Sequence, residues 1–167
     1  MELNSHRLRL VPLTLKELEN SLVDKELVER KAGLKSNGQL SNLMRIVYKI
    51  KINNIKKDPK NYLFYTYWQI ILKEENRVVG RVGFKHIPDK DGKIEVGYGM
   101  EEEYRGKSYM TEALNTIIKW AFEQEETKSV FAVTQKHNVP SQRVLLKVGM
   151  DLYEEDEKFY KWILEKN

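Results

Sequence analysis

The segment Ile94–Glu125, IEVGYGMEEEYRGKSYMTEALNTIIKWAFEQE, decides the fold. Its first residues alternate, Ile94, Val96 and Tyr98 against Glu95, Gly97 and Gly99, which is the two-residue period of a strand. Glycines at 97 and 99 weaken that strand and predict a bulge or a ligand lying close to the backbone. The period then changes. Met110, Ala113, Leu114, Ile117, Ile118 and Ala121 recur at the i, i+3, i+4, i+7 spacing of a helix with one buried stripe. Between strand and helix lies Tyr104-Arg105-Gly106-Lys107-Ser108-Tyr109, two cations and small residues where the helix begins. Free N–H groups and the positive end of the helix dipole make such a terminus an anion site.

Spacing chooses among the phosphate-binding patterns. Gly106-Lys107-Ser108 matches the end of a P-loop, G-x-x-x-x-G-K-[ST], but Glu101 stands at the first glycine and Glu101 to Glu103 fill the phosphate cradle. The dinucleotide fingerprint G-x-G-x-x-G fails at Glu102, where its third glycine belongs.

The segment resembles motif A of the GNAT acyl-CoA N-acyltransferases, in which the loop [RQ]-x-x-G-x-[GA] opens a helix. Within that superfamily it is most similar to the ribosomal-protein N-terminal acetyltransferase-like (RimJ/RimL-like) branch. Arg105 holds the first motif position, Thr111-Glu112-Ala113 follows the loop, and Ser108 and Met110 replace a glycine and a small residue. A positive φ at Ser108 would carry a conformational cost, and its hydroxyl could in return meet a phosphate. Asn138-x-x-Ser141, Arg143-Val144-Leu145 and Lys147-x-Gly149 resemble motif B, at the expected order and separation. The resemblance covers roughly residues 67–164.

It implies an α/β (α+β) GNAT fold. That is a mixed, mostly antiparallel twisted sheet of six to seven strands with about four helices, the fourth and fifth strands parallel and splayed. It also implies acetyl-CoA as cofactor and a primary amine as acceptor, a small molecule or a peptide, with a protein N-terminal α-amine among the candidates. Carried onto this chain, the cofactor site comprises Tyr98, Gly99, Met100, Arg105, Gly106, Lys107, Ser108, Tyr109, Met110, Asn138, Ser141 and Arg143. Glu95, on the strand entering the loop, is the first candidate for a general base, against the alternative of a solvent-facing charge. Backbone N–H groups near Gly99 and Met100, freed by a bulge, would polarise the thioester carbonyl. Ser141 resembles the proton donor to the leaving thiolate, the alternative being an N-cap after Pro140. Tyr153 and Tyr160 are alternative phenol donors. No Ser–His–acid arrangement is readable, so direct transfer is preferred to an acyl-enzyme.

The remainder of the chain supplies the frame. His6–Pro12 reads as a strand, and Thr14 with Glu17 forms a capping box for a helix with Leu15, Leu18 and Leu22 inward, continuing to Leu27. Residues 32–39 read as a loop. Ser41 begins a second helix, with Leu43, Ile46, Val47 and Ile50 inward and the lysines outward, ending before Asp58-Pro59. Strands are expected over 63–72 and 77–87, joined with the Ile94 strand in an antiparallel meander, then over 129–135. A short helix over 142–148 ends at Gly149, and Leu152-Tyr153 and Phe159–Leu164 close the chain.

A chain of 167 residues suits a single domain, 1–167. The absence of cysteine excludes disulfides, thiolate metal sites and a Cys nucleophile, and the three widely separated histidines support no metal site. No run of eighteen apolar residues or signal-like N-terminus is present, so the expected protein is cytoplasmic, without a membrane partner, and a monomer or homodimer. The net charge of +4 is local: Arg45, Lys49, Lys51, Lys56, Lys57 and Lys60 face one acid, Asp58. That stripe reads as a solvated face, and no reader motif supports nucleic acid. A module that holds acyl-CoA without turnover is the alternative function.

Overall fold

The computed structural model describes residues 1–167. Eight strands form one sheet: β1 (Leu3–Asn4), β2 (Leu8–Pro12), β3 (Trp68–Leu72), β4 (Arg77–Phe84), β5 (Lys93–Met100), β6 (Ser129–Gln135), β7 (Asp151–Glu155) and β8 (Phe159–Glu165). Their order is β1-β2-β3-β4-β5-β6-β8-β7, with every neighbouring pair antiparallel except β5 and β6. The helices are α1 (Leu15–Lys31), α2 (Asn42–Lys57), α3 (Tyr62–Tyr65), α4 (Tyr109–Phe122) and α5 (Val139–Val148). This is the expected GNAT arrangement, with a two-residue β1 and the single-turn α3 added to it.

The two faces of the sheet bury different helices. Ala113, Leu114, Ile117 and Ala121 of α4 are fully buried against Ile94, Val96, Ile70, Phe84 and Val130, which confirms the stripe read from the sequence. Each such Leu or Ile contributes about 1.5–3 kcal/mol relative to an exposed position. The opposite face carries α1 and α2, which close on each other through Leu18, Met44, Tyr48, Ile52 and Ile55. Residues of the loop after α1 join that layer, Leu34 packing on Ile71 and Val78.

The capping box is present: the Thr14 hydroxyl accepts from the Glu17 N–H (3.2 Å) and the Glu17 carboxylate accepts from the Thr14 N–H (2.8 Å). Beyond small shifts of boundary, such as β4 ending at Phe84 and α5 starting at Val139, four expectations change. Helix α1 runs past Leu27 to Lys31, with a break at Asp24 (φ −152°, ψ 93°), whose carboxylate accepts from Leu27 N–H and Gln39. The strand expected over 63–72 starts only at Trp68, because Pro59–Asn61 forms a 3₁₀ turn that continues into α3. Within α2 the buried stripe is Met44, Tyr48, Lys51, Ile52 and Ile55, while Leu43, Ile46 and Ile50 are 68%, 57% and 54% exposed. The helix is rotated by about one position because Tyr48 packs on the Tyr67 ring (centroids 5.8 Å apart) and Lys51 turns inward. Finally, β5 has no bulge, since its register with β4 runs unbroken from Phe84↔Val96 to Gly80↔Met100. The irregular registers lie instead between Ile70 and Ile71 and between Leu152 and Glu154.

Candidate active site

The sheet opens beside β5. Parallel pairing of β5 with β6 is confined to Lys93↔Ser129, Ile94↔Val130 and Glu95↔Phe131. Beyond it β6 stays with β8 as far as Gln135↔Phe159, and β5 stays with β4 to Met100, so the two strands part. Lys85 N–H donates to the Glu95 carbonyl and Glu101 N–H to the Val79 carbonyl, so odd-numbered residues of β5 turn their backbone groups to β4. By alternation those of Tyr98 and Met100 face the opening. Splaying, not a bulge, leaves these amides available.

At the far end of β5 the chain makes a 3₁₀ turn, Glu102–Tyr104, then the loop to α4. Gly106 (φ +74°) and Ser108 (φ +63°) both adopt left-handed backbone. Ser108 is the N-cap residue of α4 but its side chain caps nothing, and the N–H groups of Gly106, Lys107 and Ser108 find no acceptor. With the unsatisfied amides of the first helical turn these form a cluster of donors, beside the exposed cations Arg105 and Lys107. Arg105 Nε donates to the Met100 carbonyl (3.1 Å), and Lys107 Nζ lies 5.3 Å from the Tyr104 ring.

A second group braces the loop from beneath. Arg7 Nη1 donates to the Lys107 carbonyl (3.1 Å), and its guanidinium carbon lies 4.5 Å from the Tyr109 ring centroid. The Glu112 carboxylate accepts from Ser5 Oγ, Arg7 N–H and Arg7 Nε, each at 2.7 Å. Burial works to raise the Glu112 pKa, and these donors outweigh it to hold the group below the usual carboxylate value. The Tyr104 hydroxyl donates to Glu75 (2.6 Å), which ties the loop to the β3–β4 turn.

Across the opening, α5 starts at Val139 and its N-cap is Asn138, whose Oδ1 accepts the Ser141 N–H (3.3 Å). Ser141 is therefore not the cap, and its hydroxyl lies 2.6 Å from the Tyr98 hydroxyl. Burial raises the Tyr98 pKa, partly offset by the bond to Ser141. Tyr98 packs on the α4 side of the sheet, whereas Glu95 lies on the α1–α2 side, half-buried and ion-paired with Lys85.

The sequence profile of the acetyltransferase (GNAT) domain matches residues 7–151. The chain belongs to the GNAT acetyltransferase family. A Bacillus subtilis (strain 168) protein named Uncharacterized N-acetyltransferase YjdG is 28% identical over 164 residues, 96% of each chain. Among solved structures, the Vibrio fischeri ribosomal-protein-S5-alanine acetyltransferase superposes with a TM-score of 0.73 at 18% identity, covering 99% of this chain and 96% of that one. The RimL ribosomal L7/L12 α-N-protein acetyltransferase in complex with coenzyme A gives 0.70 at 13% identity, covering 99% and 98%. These neighbours share the fold, and with the family assignment the chain is a GNAT N-acetyltransferase.

GNAT acetyltransferases use acetyl-CoA, and the uncapped amides and free cations at the start of α4 fit its phosphates. The side chains of Tyr109 and Met110 are buried in the core, so only their amides can face that ligand. Arg143 is exposed on α5, with no ion pair or hydrogen bond. Tyr153 is 42% exposed on β7, the outermost strand, two strands away from the opening, and joins no hydrogen bond at the site. Tyr160 sits opposite Thr134 on β8.

Two polar residues on the α1–α2 face were not singled out from the sequence. Lys51 is only 6% exposed, its ammonium donating to the carbonyls of Tyr65 (2.9 Å) and Phe84 (3.0 Å) over the Tyr67 ring. Burial, then the Lys85 charge, brings its pKa down to about 7. Arg81 lies against Gly99, where a Cβ would come within 3.3 Å of its Nη2. The readable signal was the glycine set: once β4 and β5 are aligned, Gly83 opposes Gly97 and Gly99 opposes Arg81, a strip without side chains of its own.

Proposed function

We propose that the protein transfers an acetyl group from acetyl-CoA directly to a primary amine in a ternary complex. The observation that carries this reading is the parting of β5 from β6 after Glu95↔Phe131, with the Tyr98–Ser141 hydroxyl pair on one side and Glu95 on the other. Acetyl-CoA supplies an activated thioester. The α4 N-terminus, Arg105 and Lys107 hold its phosphates, Asn138 and Arg143 line the entry, and the Tyr98 and Met100 amides orient and polarise the carbonyl.

Acid and base act from opposite faces. An α-amine with pKa near 8 is about one-tenth neutral at pH 7, whereas a lysine amine is below about 0.1%. Glu95, directly or through water, takes the proton the amine must lose, and its ion pair with Lys85 holds the carboxylate in place on that face. The leaving thiolate receives a proton from the Tyr98–Ser141 pair, in which Tyr98 is the phenol at hand and Tyr153 is remote. The buried Tyr98 phenol stays protonated at neutral pH and can donate.

The acceptor is a small molecule or a peptide α-amine, and the proposed setting is the cytoplasm, with residues 1–167 acting as one domain in a monomer or homodimer. No helix is long and apolar enough to cross a membrane. Incubation with acetyl-CoA and a panel of amines and N-terminal peptides, read by mass spectrometry, tests the function. A +42 Da product that disappears in Glu95→Gln supports it. Acetyl-CoA binding without any acetylated product would favour the non-catalytic acyl-CoA module.

A further inference from the structure

On the α1–α2 side of the sheet, a pocket lies between those helices and strands β3 and β4. Lys25, Glu29, Tyr48, Tyr67, Gln69 and Arg81 line it. Arg81 is its singular member. The guanidinium takes part in none of the ion pairs of the molecule and in none of its side-chain hydrogen bonds to carboxylates or carbonyls. It rests on Gly99, with its central carbon 5.9 Å from the Tyr67 ring centroid. Gly99 belongs to the stretch of β5 whose neighbouring amides face the opening, so this cation borders the reaction centre.

The buried carboxylate of the pocket is paired with Lys25, not with Arg81. Glu29 is 1% exposed, and its Oε1 accepts from Lys25 (2.9 Å) and Gln69 (3.3 Å), while Oε2 has no partner. Lys25 in turn donates to the Gly38 carbonyl (2.9 Å), so the Lys25 charge is shared between Glu29 Oε1 and that carbonyl and not with Arg81. A part-buried guanidinium without a counter-ion is costly to leave unmatched.

We infer that the acceptor carries a carboxylate as well as its amine, and that Arg81 receives the carboxylate while the amine meets Glu95. This rests on the acetyl-transfer reading and names the acceptor class within it. Glu101, also at the pocket and unpaired, favours a monoanionic carboxylate over a doubly charged phosphate. The phenols of Tyr48 and Tyr67 line the same wall and can donate to the carboxylate beside Arg81. Glu95 and Gly99 stand four residues apart on β5, about 13 Å along the strand. That span suits an amine several bonds from its carboxylate, as in an ω-amino acid or a peptide N-terminus followed by an acidic side chain. An α-amino acid, with both groups on one carbon, does not bridge it.

The test uses the full chain with acetyl-CoA and matched acceptors: 6-aminohexanoate against hexylamine, and a C-terminally amidated peptide beginning Ala-Glu against one beginning Ala-Gln. Wild type should prefer the carboxylate member of at least one pair by about tenfold or more in kcat/KM, the worth of a charge-assisted hydrogen bond. The pair that responds tells a free amino acid from a peptide. In Arg81→Gln the ratio should collapse towards one, with partial return in Arg81→Lys and no change in the acetyl-CoA dissociation constant. A wild-type ratio near one, or a ratio unmoved by Arg81→Gln, overturns the inference. Should Arg81→Gln fail to fold, the wild-type ratio and Arg81→Lys decide. If no amine is acetylated, calorimetric titration of 6-aminohexanoate and the acidic peptide into the CoA-saturated protein separates the two claims. Arg81-dependent binding there would keep the pocket and remove the acetyl transfer, and absence of binding would overturn the pocket.

Discussion

Ser108 is held at φ +63°, ψ 14°, a conformation in which a residue with a Cβ is strained. Ser108→Gly should therefore raise stability by about 0.5–1 kcal/mol, seen as a Tm higher by a few degrees, and keep acetyl-CoA affinity. A loss of affinity beyond tenfold would show that the hydroxyl is itself a ligand. Lys51 makes a pH prediction. Its folded pKa of about 7 lies below the unfolded value of 10.5, so between these values the unfolded chain binds more protons at this position. The cost of burying the ammonium is complete below pH 7 and is relieved as pH rises, by at most about 1.4 kcal/mol per pH unit across that window. Urea denaturation of wild type and Lys51→Met should show the stability difference moving in favour of wild type from pH 7 to pH 10. A difference that is flat with pH would mean the ammonium keeps its charge. Neither residue's conformation was legible in the sequence: Ser108 departs from a motif glycine without showing whether the backbone departs too, and Lys51 is one lysine among several on α2.

Between elements, the bond that matters most is the one between β5 and α5. Tyr98→Phe removes the hydroxyl paired with Ser141, and each of Tyr98→Phe and Ser141→Ala should lower kcat by about 10²-fold, the lower end for general acid catalysis, with little effect on acetyl-CoA binding. Because the two hydroxyls act as one unit, the double variant should fall little below the singles. Multiplicative losses would show that they act separately. The strand–loop–helix core of the site was legible because Ile94 to Ala121 carries two clean periods in succession and its stripe of α4 is buried as read. The face of α2 was not. Its aliphatic residues surround much of the helix, and the side that turns inward is chosen by Tyr48 meeting Tyr67 and by carbonyls left at Tyr65 and Phe84 for Lys51. Those are contacts of distant sequence. The expected bulge failed for a related reason: Gly99 accommodates the Arg81 side chain from the neighbouring strand, and alternation within β5 carries no record of it.

At the scale of the molecule, the sheet splits between β5 and β6, and the proposed reaction puts the cofactor's phosphates at the α4 terminus and brings the amine from the α1–α2 side. Of the basic stripe on α2 only Lys51 turns inward to that side. Removing charge at the other site has a predicted effect: Arg105→Ala should weaken acetyl-CoA binding by about tenfold, the loss of one charge beside phosphate, and more steeply at low salt. The measurement that tests the whole most directly is thermal melting with acetyl-CoA, CoA and ATP in turn. Ligand at a hundredfold its dissociation constant adds about 2.7 kcal/mol, a rise of roughly 5–10 °C for a domain of this size. Such a rise with acetyl-CoA and CoA, and none with ATP, is the predicted result. No rise with acetyl-CoA at millimolar concentration, or an equal rise with ATP, would contradict a coenzyme A site in the split sheet.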